Sequence, residues 1–149
     1  MKTPEHAITL IRTINTSAEE VYAAWTNPDV MRRWMGRQVD ADVRIGGKYR
    51  IENGAEGGET YVHKGEYRVL EPGMRIVQTF SAGRTEPDPD AVSPYRDEFL
   101  EIRLHPLGPS TTELTLVNGW DGEGMDEEGK AAVGEAWAAW LALLEASFK

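Results

Sequence analysis

The chain has 149 residues, 40% hydrophobic and 28% charged, which suits one domain with a real core. Its formal charge of -9 repels phosphate backbones and anionic lipid, so neither nucleic acid nor a membrane surface is expected as a partner. The absence of cysteine excludes disulfides, thiolate metal sites and a cysteine nucleophile.

The opening, MKTPEHAITL, lacks the long apolar stretch of a signal peptide, and no apolar run reaches bilayer-spanning length. A cytoplasmic location is therefore expected. Residues 6–14, HAITLIRTI, alternate and are rich in β-branched side chains, which predicts a strand. Ser17 and Glu20 have capping-box spacing and open a short helix with Val21, Tyr22 and Trp25 on its apolar face. Asn27-Pro28-Asp29 ends it, and Pro28 starts a second short helix running to about Trp34. Strands are predicted over 38–45 and 47–54, separated by Gly46-Gly47, then a glycine-rich hairpin and a long strand over 60–70. Glu71-Pro72-Gly73 is a tight turn before a strand over 74–82.

Residues 83–95 hold three prolines and three acidic residues and predict a surface loop. Strands over 96–105 and 111–118 flank a turn at His105-Pro106-Leu107-Gly108-Pro109, and 119–129 reads as a glycine-rich acidic loop. The final helix starts near Asp126 to Lys130. Val133, Trp137, Trp140, Leu141, Leu144 and Phe148 form its apolar stripe, and two tryptophans one turn apart demand a broad apolar surface. The order β-αα-ββββββ-α, with helices segregated from strands, gives an α+β fold in a single domain over 1–149.

This order and its motifs resemble the SRPBCC superfamily, which groups START-related, polyketide cyclase and birch-pollen-allergen domains. The branch most resembled is the C-terminal domain of the activator of the ninety-kilodalton heat-shock protein ATPase. The resemblance rests on Ile14 to Tyr22, Trp25-Thr26-Asn27-Pro28, Arg33-Trp34 and Ile45-Gly46-Gly47-Lys48-Tyr49. It continues through Gly65 to Pro72 and Thr111 to Leu116 to the tryptophan-bearing terminal helix. It implies a helix-grip (START-like) fold, in which a curved antiparallel sheet wraps a long C-terminal helix with a cavity between them. Carriers, cyclases and stress-response proteins share that fold, so the resemblance alone does not choose a function.

Strand 60–70 places Tyr61, His63, Tyr67 and Val69 on one face, expected to meet the helix near Trp137 or Trp140. Such a cluster could orient a ligand or move a proton; the plainer alternative is a packed core with His63 bonded to a neighbour. The expected cavity-lining set is Trp25, Trp34, Tyr49, Tyr61, His63, Tyr67, Phe80, Leu100, Trp137, Trp140, Leu141 and Leu144. Arg12 is in phase with Ile8, Leu10 and Ile14, with Glu98 a candidate inward partner; otherwise it reaches solvent along its stem. Ser17 reads as a helix cap. His6, His63 and His105 lack metal-ligand spacing, so no metal is expected, and no cofactor fingerprint or catalytic constellation is present.

The leading expectation is binding of a small hydrophobic molecule by a monomer or homodimer. The alternatives are a protein-interaction module with a chaperone-like partner and a polyketide cyclase or dehydratase using His63 and the tyrosines. The further domain of the full-length co-chaperone is not seen in this sequence, so direct ATPase activation is not expected of it. An apolar cavity favours the carrier, a dry polar cavity the enzyme, and an exposed apolar patch the interaction module.

Overall fold

The computed structural model describes residues 4–36, 38–53, 61–84, 96–122 and 126–148. Strand β1 (His6–Ile14) leads into helix α1 (Ala18–Thr26) and a single turn of helix, α2 (Pro28–Met31). Ser17 caps α1 by accepting the Glu20 N–H at 3.2 Å. The Glu20 carboxylate accepts from Thr16 Oγ1 at 2.7 Å, so the predicted helix start is held from both sides. Helix α2 stops at Met31, and residues 32–35 continue to Trp34 as turns, shorter than the sequence predicts.

The sheet follows, with β2 (Gln38–Ala41), β3 (Lys48–Asn53), β4 (Tyr61–Glu71), β5 (Arg75–Thr79), β6 (Ser81–Arg84), β7 (Arg96–Gly108) and β8 (Thr111–Asp121). Among the described residues it has eight strands in the order β1-β8-β7-β5-β4-β3-β2, with β6 paired to β4, and every pairing is antiparallel. The long helix α3 (Glu127–Ser147) is capped by Asp126, which accepts the Gly129 N–H at 2.7 Å. Its predicted stripe meets the sheet: Trp137, Leu141 and Leu144 are buried, and Val133, Trp140 and Phe148 lie against the same core. This is the α+β helix-grip architecture expected from the sequence.

Several boundaries differ from expectation. Strand β2 ends at Ala41, because Asp42 N–H bonds Lys48 O and Gly47 N–H bonds Arg44 O, turning the chain early. The strand expected over 74–82 is two strands, broken at Phe80; β5 pairs with β7 and the far half of β4, whereas β6 pairs with the near half of β4. Gly65 makes that break sterically feasible. A Cβ there would lie 1.9 Å from the Thr79 carbonyl oxygen, so only glycine admits the β5 backbone so closely. Residues 83 and 84 of the expected loop belong to β6, and 85–95 lie outside the described residues.

Strand β7 runs on through Pro106 to Gly108. Its ladder with β5 ends at Arg103, so no neighbour on that side needs the N–H that proline lacks. Strand β8 extends to Asp121, past the expected loop start at 119, because Trp120 pairs with His6 of β1 and stacks on its ring at 5.5 Å. At the β4–β5 connection, Met74 N–H bonds Glu71 O and Gly73 has φ +72°, the turn that Pro72-Gly73 predicts.

Candidate functional site

The inner side of the sheet has two kinds of lining. From β1, β7 and β8 come Ile14, Leu100, Ile102, Leu104, Leu114 and Leu116, all buried. From β3, β4 and β5 come Tyr49, His63, Tyr67 and Gln78. Helices α1 and α3 and the turn after α2 close over them with Trp25, Trp34, Trp137 and Trp140.

The aromatic side chains form a continuous chain. Trp25 meets Trp34 edge to face at 4.9 Å, and Trp34 meets Trp140 at 6.3 Å. Trp140 stacks on His63 at 4.5 Å. His63 meets Phe80 at 5.5 Å, Phe80 meets Trp137 at 5.3 Å, and Trp137 returns to Trp140 at 5.4 Å. Deeper along β4, the Tyr67 ring lies 5.4 Å from that of Tyr49. The structure thus places His63 against Trp140 and Tyr67 against Tyr49. Of the residues singled out from the sequence, Trp25, Trp34, Tyr49, Tyr67, Phe80, Leu100, Trp137, Leu141 and Leu144 share one core, with Trp140 packed on it. The Tyr61 side chain lies outside the described set.

One assignment is corrected, and one open alternative is decided. Val69 was expected on the inner face with Tyr67, but the β4–β5 register shifts between them. That bulge reverses the alternation, so Leu70, paired with the buried Ile76, packs on the core in its place. Arg12 takes the solvent-reaching alternative and does not meet Glu98. Helix α3 lies over β1 and brings Glu145 to 3.7 Å from Arg12 Nε, with both side chains more than a third exposed. Glu98 accepts from Asn118 Nδ2 at 3.1 Å.

Sequence reasoning passed over Gln78 and Asn118. Each is in phase with buried apolar neighbours, Gln78 with Ile76 and Phe80, Asn118 with Leu114 and Leu116, and that phase was the available signal. Asn118 is satisfied: its amide donates to Glu98 and to Phe99 O, and its Oδ1 accepts the Trp137 indole N–H at 3.2 Å. Tyr49 donates its hydroxyl to Thr79 O at 2.7 Å, and Trp34 donates its indole N–H to Ala24 O at 2.8 Å.

Other polar atoms are not satisfied. Among the described residues, Trp25 Nε1, His63 Nδ1, Tyr67 OH and Gln78 Oε1 are buried without a protein hydrogen-bond partner. Burial holds the His63 imidazole down at a pKa of about 4, so it is neutral at physiological pH. Burial pushes the Tyr67 hydroxyl up to about 12, with the neighbouring Tyr22 adding to the rise. Burial also raises Tyr49, opposed by a hydrogen bond with Gln78 and reinforced by Tyr67 and Glu98. All three groups are neutral hydrogen-bonding groups in an aromatic setting. Among the described residues, no cluster of His, Asp and Glu could hold a metal ion. No helix of the described residues is long and apolar enough to cross a membrane.

Fold and interior together define an SRPBCC-type helix-grip domain. Residues 15–149 match the family model described as Activator of Hsp90 ATPase homolog 1-like protein, and the chain belongs to that family. Solved structures of similar fold include a protein from Chromobacterium violaceum, 26% identical, with a TM-score of 0.70 over 95% of this chain and 96% of that one. The Aha1 dimer from Colwellia psychrerythraea is 17% identical, with a TM-score of 0.72 over 96% of each chain. DynU16, a protein in the dynemicin biosynthetic locus, is 19% identical, with a TM-score of 0.73 over 95% of this chain and 46% of that one. No curated protein matches the sequence.

Proposed function

We propose that the domain binds a small, largely apolar molecule between the β3–β4–β5 half of the sheet and helix α3. The observation that carries this reading is the set of four buried polar atoms without protein partners. Each such atom costs about 1–3 kcal/mol, and four together approach the whole stability of a typical domain. An interior of this kind is built to be completed by something that is not the protein. Aromatic walls with a few placed polar groups are the usual lining of small-molecule sites. We assign Trp25, Trp34, Tyr49, His63, Tyr67, Phe80, Trp137 and Trp140 as the contacts.

Binding is favoured over acid–base catalysis. A catalytic histidine needs a partner that orients its ring, and His63 Nδ1 has no hydrogen bond to supply one. Its burial also makes it a weak base. The test is an apolar fluorescent probe titrated into the protein, with native mass spectrometry of material purified from its host. Saturable binding with quenching of tryptophan emission, or a retained small molecule, is expected. Absence of both would remove the reading.

A second reading, a protein-interaction module, has its own support. Ile45 and Met74 are 67% and 62% exposed, and Leu107 is 54% exposed. They lie before β3, between β4 and β5, and near the end of β7, which the antiparallel order brings to one end of the sheet. The family description points to a chaperone of the Hsp90 type as the partner to try. A changed chaperone ATPase rate, lost on Met74→Ser with Ile45→Ser, is the expected sign; an unchanged rate with no complex on gel filtration would dismiss it.

A further inference from the structure

We propose that strand β1 pairs antiparallel with β1 of a second copy of this chain, centred on Leu10, so that two sheets become one. The surface involved is a sheet edge, apart from the interior and from any ligand there.

Among the described residues, β1 has a strand neighbour only on the β8 side, and β2 only on the β3 side. The two edges are built differently. Strand β2 is four residues long, and Arg32 Nη2 donates to its Val39 O at 3.2 Å. A short strand with a guanidinium laid on its backbone resists a further strand. Strand β1 is nine residues long, and Ala7, Thr9, Ile11 and Thr13 on its outer face are exposed and uncharged. Three of these four are β-branched, which suits them to strand pairing. Ile11 is left 55% exposed.

In an antiparallel ladder each residue turns its N–H and C=O to the same side, and alternate residues face alternate neighbours. Ile11 O accepts Arg12 Nη1 at 2.8 Å in an exposed bond, so Ile11 faces away from β8. By alternation Ala7, Thr9 and Thr13 face the same way. Their backbone groups form a row that another strand can complete.

A second copy fits that row. Leu10 is the middle of the nine residues, so self-pairing about it overlaps the whole strand. Thr9 then lies opposite Ile11 and Ala7 opposite Thr13, each pair occurring twice, and outward N–H groups meet outward C=O groups. These pairs bring no like charges together, and the charges that do approach are opposite. Arg12 comes opposite the other copy's Ile8. Helix α3 sits over Ile8 at Gly134, where a Cβ would lie 3.9 Å from Ile8 Cγ2. The next residue, Glu135, is exposed. Each Arg12, which reaches its own Glu145 across 3.7 Å, thus gains a second carboxylate from the other copy.

The helices permit the approach. Paired strands lie about 4.8 Å apart, whereas packed helices need about 8–10 Å. Helix α3 follows β1, with Gly134 over Ile8 and Glu145 beside Arg12, so the point above Leu10 falls between Ala138 and Ala142. Gly134, Ala138 and Ala142 share one flank of α3 by their spacing of four. Small side chains there let two antiparallel α3 helices lie above the joined strands. A strand edge is a small interface beside the roughly 800 Å² per partner of a stable complex, and the helix flank enlarges it. Each β1 is used up by the other, so the assembly closes at two chains.

The test is sedimentation of the full chain from about 1 µM to about 1 mM, the range of weak association, with residue-resolved amide exchange at both ends of that range. The mass should double with concentration and rise no further. Exchange at Ala7, Thr9, Ile11 and Thr13 should slow about tenfold as the free chain is depleted, while Ile8, Leu10 and Arg12 stay slow throughout. Thr9→Lys with Ile11→Lys sets lysine against lysine in both pairs and should leave a folded monomer. Thr9→Lys with Ile11→Glu sets lysine against glutamate and should restore the dimer. That rescue belongs to the Leu10 register, since no other centre opposes residues 9 and 11. Should a variant fail to fold, the exchange pattern of the unsubstituted chain decides. A mass of one chain at every concentration, with outward amides exchanging equally throughout, overturns the proposal. So does a dimer that survives the paired lysines, a folded glutamate variant that stays monomeric, or growth beyond two chains.

Discussion

The two halves of the sheet's inner face are built to different rules. The β1–β8–β7 half is aliphatic, and its buried polar groups are satisfied: Thr112 Oγ1 donates to Thr16 O at 2.8 Å, and Asn118 uses both ends of its amide. The β3–β4–β5 half is aromatic and amphipathic, and it contributes three of the four unpartnered buried atoms, on His63, Tyr67 and Gln78. Both halves are buried, and both lie under helices. The difference teaches that burial alone does not mark a site. A core optimised for stability closes its hydrogen bonds, and a surface reserved for a ligand leaves some open.

Helix α3 joins the halves, and its loss should be felt most. Trp137 is buried against Phe80 on one side and donates to Asn118 on the other. Trp137→Ala should cost about 3–5 kcal/mol, the range for truncating a large buried aromatic. Asn118 Oδ1 also loses its partner. Chemical denaturation measures this; a midpoint equal to that of the unsubstituted chain would make the helix peripheral.

The next effect is a pH dependence confined to the aromatic half. The folded-state pKa of His63 is about 4, below the usual 6.5. Between those values the unfolded chain binds the extra proton. Stability attributable to this group is therefore complete above the unfolded pKa and is lost as pH falls from about 6.5 through 4. The full difference is at most about 3 kcal/mol. Carboxylates titrate in the same window, so the comparison is with His63→Leu. The variant should lose less stability than the parent between pH 7 and pH 4.5. Parallel loss in both would show that His63 is hydrated and exposed in the folded state.

Much of this architecture was legible in the residues. Alternation gave the strands, Ser17 with Glu20 gave the start of α1, and the stripe from Val133 to Phe148 gave the buried side of α3. The register shift after Tyr67 was not legible, because a bulge depends on how β4 meets β5, and nothing local marks it. The break at Phe80 was hidden for the same reason: the close approach beside it is admitted by Gly65, fourteen positions before Thr79. At the site, the aromatic residues announced themselves by size. Gln78 did not, since one polar residue in an apolar phase reads as noise until its neighbours are known to be inward. For Arg12, sequence phase left an inward partner and a solvent-reaching stem both open, because it says which face a residue takes and not which element covers it; the solvent-reaching reading holds.

The close approach at Gly65 can be tested directly. Gly65→Ala places a Cβ 1.9 Å from Thr79 O, a backbone atom that also accepts the Tyr49 hydroxyl. Overpacking of this kind typically costs about 1–3 kcal/mol. The substitution should also displace β5 from Tyr49 and raise hydrogen exchange at Glu66, whose N–H bonds Thr79 Oγ1 at 2.8 Å. Unchanged exchange at Glu66 with unchanged stability would mean that β5 can retreat without consequence, and that the aromatic half is more compliant than its packing implies.

The smallest expected effect separates the halves most cleanly. Thr112 and Tyr67 are both fully buried, and both carry a hydroxyl. Thr112→Val removes a donor and strands the Thr16 carbonyl, which should cost about 1–3 kcal/mol. Tyr67→Phe removes a hydroxyl that has no protein partner, so in ligand-free protein the change should stay within about 0.5 kcal/mol or be stabilising. The same chemical deletion thus has opposite consequences on the two sides of one sheet. Urea denaturation of both variants, after extraction of any bound small molecule, makes the measurement. If Tyr67→Phe costs as much as Thr112→Val, the Tyr67 hydroxyl is held by water in the free protein. The β3–β4–β5 half would then be a hydrated core closed like its neighbour, and the argument that it is reserved for a ligand would lose its basis.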